Sequence, residues 1–271
     1  MSAHRIVAAA EHRVPAPFRA FAVRSDEARY AGLARAPYGR VHVLRTPFLD
    51  ADALAALAAP GRARARVQGF SDINYARTTW AELASAAPHV HGLAGHVAGA
   101  LQQTGVLGVA ATRYRRSVAT RLDYLTACGA GFHNDVARHW PRCLFWLLAL
   151  AVDDVAFVMP HAGVHLPLQP GDLLVFDQTM AHGLCRPADG GQAVAASFDA
   201  DEPQAQVFLT GELRLGEAQW AALGSPWLPL AEHARRGALD LRLAPFDERT
   251  GAIQRLGALR GCMQGNVPGR G

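Results

Sequence analysis

A mainly antiparallel β core with flanking helices (α+β) is the class this sequence predicts, on three observations. From about Val106 to Val207, short β-rich runs alternate with turn signals at the spacing of an antiparallel barrel or jelly roll, not of a βαβ sheet. Helical patterns fall outside that stretch, in the first hundred residues and again after Pro203. The longest apolar run, Cys143 to Val152, is shorter than the ~20 residues a bilayer span needs and reads as a strand buried on both faces. The chain then divides into a mixed N-terminal flank over 1–105 that packs on the core, the core over 106–207, and an extension of the same domain over 208–271.

Composition agrees with one elaborated domain. Of 271 residues, 50% are hydrophobic and 18% charged, enough apolar material for a large core. The net charge of +4 comes from scattered arginines, with short clusters only at Arg62, Arg64, Arg66 and at Arg113, Arg115, Arg116. That is the pattern of a solvated face, so no nucleic-acid partner is expected. Cys128, Cys143, Cys185 and Cys262 lack zinc-ribbon spacing, and the N-terminus has no signal-peptide pattern. A reduced, cytoplasmic protein without membrane attachment is the expectation.

In chain order, Val14-Pro15-Ala16-Pro17 and Pro37-Tyr38-Gly39 mark breaks, and Arg40 to Leu44 alternates like a short strand. Asp50 is placed to cap a helix over Ala51 to Ala59 that stops at Pro60-Gly61. A second helix is predicted from about Pro88 to Gln103, with Val90, Leu93, Val97 and Leu101 in one stripe and Gly92, Gly95 and Gly99 allowing close approach. Strands are expected near 109–115, 118–126, 132–136, 143–152, 155–159, 163–168, 172–177, 181–185 and 192–198. Asp153-Asp154 and Pro170-Gly171 are tight turns between them. Beyond Pro203, Gly216 to Leu223 reads as a short helix and Leu239 to Leu243 as an edge strand.

The chemistry gathers at Gly131-Phe132-His133-Asn134-Asp135 and Met180-Ala181-His182-Gly183. In a strand, residues two apart share a face, so His133 and Asp135 would lie together with Asn134 opposite. A jelly roll would bring the strands carrying His133 and His182 to one mouth. Two imidazoles and one carboxylate form the facial set that holds ferrous iron with positions left open. His161, His165 and His182 offer another metal group, but the HxH and following Glu of a cupin are missing. No GxSxG elbow is present, and Gly129-Ala130-Gly131 is too short for a phosphate loop.

Residues 121 to 198 resemble the core of the iron(II)- and 2-oxoglutarate-dependent dioxygenases, in the group that includes prolyl hydroxylases. Tyr124 precedes His133 with Gly129 and Gly131 between them, and His133-Asn134-Asp135 matches HxD. The runs Val158 to Gly163, Gln169 to Asp177 and Ala181-His182-Gly183 resemble the strand, turn and distal-histidine run of that family. The resemblance implies a double-stranded β-helix and Fe(II) on His133, Asp135 and His182. It also implies 2-oxoglutarate as cosubstrate steadied by Tyr124, with O2 oxidising a C-H bond of a small-molecule substrate. Where the family carries an Arg or Lys for the far carboxylate of 2-oxoglutarate, this chain has Gln192, which offers no charge. Arg186, Arg142 and Arg121 are the alternative cations. Gln192 also keeps two other readings open: a catalytically degenerate jelly-roll binding protein, and an iron oxygenase that does not use 2-oxoglutarate. Substrate identity and oligomeric state are not expressed in the sequence.

Overall fold

A computed structural model describes residues 4–7, 33–35, 38, 40–68, 73–104, 106, 122–127, 130–133, 143–159, 164–178, 182–185, 205–224 and 227–229. The N-terminal part supplies β1 (His4–Val7), β2 (Leu33–Arg35), β3 (Val41–Arg45), α1 (Ala51–Gln68), β4 (Ile73–Thr78), α2 (Trp80–Ala86) and α3 (Leu93–Gln103). Eight strands follow: β5 (Leu122–Ala127), β6 (Ala130–His133), β7 (Cys143–Ala151), β8 (Ala156–Met159), β9 (Val164–Pro167), β10 (Asp172–Phe176), β11 (His182–Cys185) and β12 (Gln206–Arg214). The short helix α4 (Glu217–Ala222) and β13 (Trp227–Pro229) end the described chain.

The eight strands β5 to β12 divide between two antiparallel sheets. One contains β10-β7-β12-β5 in that order, and the other β6-β11-β8-β9. Counted from one to eight, these are orders 6-3-8-1 and 2-7-4-5, so every successive pair crosses between the sheets except the β8–β9 hairpin. The fold is a double-stranded β-helix, the expected jelly roll. The N-terminal flank does more than pack on it, because β1 and β3 extend the large sheet beyond β10, and β4 extends it beyond β5.

Strand β7 explains the layering. Its sequence is apolar at every position because both faces are buried. Phe145, Leu147 and Ala149 join Phe157, Leu174, Phe176, Leu184 and Phe208 between the two sheets. The alternate residues Leu144, Trp146 and Leu148 face a second core with Leu57, Leu83, Val97, Leu101 and Trp220, beneath the helices. The predicted turns occur where expected. Gly171, at φ 87°, takes a conformation open to glycine, and Asp154 closes the β7–β8 link at φ 42°, tolerated because Asp can enter the left-handed region.

Several sequence expectations need correction. The first helix does not stop at Pro60-Gly61 but runs on to Gln68. Pro60 removes one helical hydrogen bond, but a buried face of Ala53, Leu54, Leu57, Ala58, Gly61 and Ala65 holds the helix on the sheet. Gly61 marks its closest approach, since a Cβ there would lie 2.8 Å from Tyr124 Cδ1. The second helix begins at Leu93, after Gly92 at φ 70°, and a Cβ at Gly95 or Gly99 would meet nothing within 4 Å, so neither permits close packing. Thr79 and Glu82 form a capping box that starts α2, an element not expected from the sequence. The eighth strand of the roll is Gln206–Arg214, which continues past the expected core boundary at Val207. The strands expected at 109–115, 192–198 and 239–243 lie outside the described residues, as does the start of that expected at 118–126.

Gly211 sits opposite Trp146 on β7, and a Cβ there would fall 2.6 Å from the indole Nε1. The fully buried Trp146 has no room to withdraw. Gly211→Ala is therefore expected to destabilise the fold by about 1–3 kcal/mol, read as a lowered midpoint in urea unfolding.

Candidate functional site

The antiparallel pairing of β11 with β6 sets His182 directly against His133. Opposed residues in such a pair have Cα atoms about 4.5–5.5 Å apart. The next rung is Leu184 against Ala130, so β6 contains one extra residue between the rungs, a β-bulge. Bulges of this kind often adjoin functional sites because they re-aim the neighbouring positions. His133 is the last described residue of β6, and the HxD segment continues from it. The rest of the strand expected to 136, with Asn134 and Asp135, lies outside the described residues.

His182 is buried between the sheets. Its ring centroid lies 5.0 Å from that of Phe176 on β10 and 6.1 Å from that of Phe157 on β8. Leu184, on the same face of β11, joins the same inner core. His165 alternates with Val164 and Leu166, whose side chains fill that core, so it lies on the opposite face of the small sheet from His182. The alternative metal group with His165 is thereby excluded, and His161 lies outside the described residues.

Tyr124 lies on β5. It alternates with Leu125, which enters the inner core, and instead packs under α1 in the outer core. The Arg64 guanidinium stands 5.4 Å from its ring centroid. Burial pushes the Tyr124 hydroxyl up to about 12, against a smaller opposing effect of Arg64. The large sheet thus lies between the Tyr124 side chain and the space that holds His182. Arg121, Arg142, Arg186 and Gln192 lie outside the described residues.

Polar residues not singled out in the sequence share the inner face with His182. Thr210 opposes Leu147 and Asp123, and Glu212 opposes Phe145, whose other neighbour is Phe176. Glu212 therefore stands two strands from Phe176, about 10 Å at ~4.8 Å per strand. Cys143 Sγ lies 3.7 Å from Glu212 Oε2, and Arg214 Nη2 lies 3.8 Å from the same oxygen. Gln178, between Phe176 and His182 in sequence, is fully buried, with neither amide atom hydrogen-bonded among the described residues. Alternation on β12 could have marked Thr210 and Glu212, but only once β12 was known to be a strand. The start of β10 and its end are fixed separately: Arg45 meets Asp172, and the Tyr38 N–H donates to Asp177 Oδ2 at 2.7 Å.

No protein-family model matches the chain, and no curated protein does. Solved structures do match. A prolyl-4-hydroxylase from Pseudomonas putida is 17% identical over 70% of this chain and 96% of its own, with a TM-score of 0.35. A viral collagen prolyl hydroxylase from Paramecium Bursaria Chlorella virus-1, solved as a 2-oxoglutarate complex, is 7% identical over 69% and 98%, with a TM-score of 0.36. A non-haem alpha-ketoglutarate-dependent carbocyclase from nogalamycin biosynthesis is 10% identical over 89% and 97%, also at 0.36. At such identities these matches assign no role to any residue of this chain.

Burial, and next the Glu212 carboxylate, pushes the Cys143 thiol from 9.0 up to about 12. The unfolded thiol ionises near 9.0 while the folded one keeps its proton to about 12. This contribution to stability is complete below pH 9.0 and is lost as pH rises toward about 12. Urea unfolding at about pH 8 and about pH 10.5 should show wild type losing more stability than Cys143→Ala across that interval.

Proposed function

We propose that the chain is a non-haem Fe(II)- and 2-oxoglutarate-dependent oxygenase that hydroxylates or otherwise oxidises a C-H bond of a small organic substrate. The observation that carries this reading is the His182–His133 rung, at one end of a double-stranded β-helix with HxD continuing from it. His133, Asp135 and His182 would hold the metal, and the donor set fits. Two imidazole-bearing positions meet in one rung, and the carboxylate follows two residues after the first. Bound iron with 2-oxoglutarate and O2 supplies the two-electron oxidation of a C-H bond, with succinate and CO2 as co-products.

The chain's own residues shape the surroundings. Phe157 and Phe176 hold the His182 ring in an apolar setting that keeps water from it. Gln178 carries an unused donor and acceptor, suited to orient a polar group of a bound small molecule. With Tyr124 turned away, the far carboxylate of 2-oxoglutarate falls to Arg121, Arg142, Arg186 or the amide of Gln192. That same turn favours a second reading, an iron oxygenase that needs no 2-oxoglutarate. No described helix is long and apolar enough to cross a membrane.

Anaerobic addition of Fe(II) and 2-oxoglutarate is expected to produce a visible charge-transfer band. His133→Ala, Asp135→Ala and His182→Ala should each remove it with the circular dichroism spectrum retained, whereas Tyr124→Phe should leave 2-oxoglutarate affinity within about twofold. A band that survives His182→Ala would refute the ligand assignment. A band formed by iron and substrate without 2-oxoglutarate would select the second reading.

A further inference from the structure

Away from His182, a cavity of about 930 Å³ opens between α1 and the turns at the other end of the large sheet. Strand β7 begins at Cys143, beside Glu212, and ends at Ala151 in the cavity wall. Its nine residues at ~3.3 Å each separate the two places by more than ~25 Å. The volume falls within the ~300–1,000 Å³ of small-molecule sites.

The lining combines an apolar bed with unequal charges. Leu49, Leu54, Ala55, Ala58, Leu150 and Val152 provide most of the bed. Arg45 and Arg62 bring guanidinium groups and Asp153 a carboxylate. Arg45 is already committed, because its Nε lies 3.5 Å from Asp172 Oδ1 and its Nη1 donates to the Pro170 carbonyl at 2.6 Å. Its Nη2 donates to Gln169 Oε1. Arg62 differs: its Nε is buried and has no hydrogen-bond partner among the described residues. A buried donor without an acceptor is costly, and a guanidinium is well suited to a carboxylate or another oxyanion.

We propose that this cavity binds a small amphiphilic anion, with its oxyanion head accepting from Arg62 and its apolar body on the leucine and alanine bed. The ligand class follows from Arg62, the cation of the described lining without a partner, and from the apolar area around it. The proposal stands independently of the oxygenase reading.

Decanoate, decanol and decylamine would be titrated calorimetrically into the full chain. Decanoate is expected to bind saturably at one site, with decanol at least about tenfold weaker and decylamine weaker still. Arg62→Gln should weaken decanoate by about tenfold while changing decanol little, and Arg62→Lys should restore part of the loss. Ala55→Trp fills the cavity from an exposed position and should weaken decanoate and decanol together. Unfolding midpoints of the variants would confirm that each is folded. Decanoate binding that is absent, that decylamine equals, or that folded Arg62→Gln and Ala55→Trp both leave within twofold would overturn the proposal.

Discussion

Burial of β7 on both faces is the constraint on which the remaining structure depends. A strand that reads Cys-Leu-Phe-Trp-Leu-Leu-Ala-Leu-Ala has no polar face to offer water, so it needs cover above and below. The small sheet provides one cover and α1, α3 and α4 the other. The neighbours β10 and β12 are buried along nearly their whole length as well, and helices of the N-terminal flank supply much of the outer cover. Pro60 is accommodated within α1 because that helix is held by packing more than by its own hydrogen bonds.

The two cores also divide the chemistry. Residues one apart along β5 enter different compartments, so Tyr124 stabilises the helical cover while Asp123 and Leu125 look toward the space that holds His182. The inner space is aromatic around His182 and becomes polar farther along, at Cys143 on β7 and at Thr210 and Glu212 on β12. Such a gradient suits a site that must exclude water at one place and grip a polar molecule at another. The cavity under α1 belongs to neither core and is walled by their shared end.

Much of this was legible in the sequence, and for identifiable reasons. The strands from Cys143 to Cys185 were placed within a residue or two because turn chemistry brackets them: Asp153-Asp154, Pro170-Gly171 and the strong β-formers between. The capping role of Asp50 held as well, with the Ala53 N–H donating to its Oδ1 at 2.8 Å. The length of α1 was not legible, since Pro60 and Gly61 are stop signals locally and only the sheet beneath overrides them. The strand β12 was missed because Val207-Phe208-Leu209 merges with a mixed segment, and its role depends on β5 and β7, far away in sequence. Motif order singles out His133 and His182, which β6 and β11 set on one rung, but the inward or outward sense of Tyr124 required the register of β5.

The central claim is that β6 and β11 pair so that His133 and His182 occupy one rung. Their expected Cα separation of ~4.5–5.5 Å lies within the range that a disulfide can bridge. The most direct test is therefore a double variant, His133→Cys with His182→Cys, oxidised and analysed by peptide mass mapping. The account predicts a prompt intramolecular link between those two positions, and none when Gly183→Cys replaces His182→Cys. A link that forms equally with position 183, or fails to form at 182 in folded protein, would contradict it.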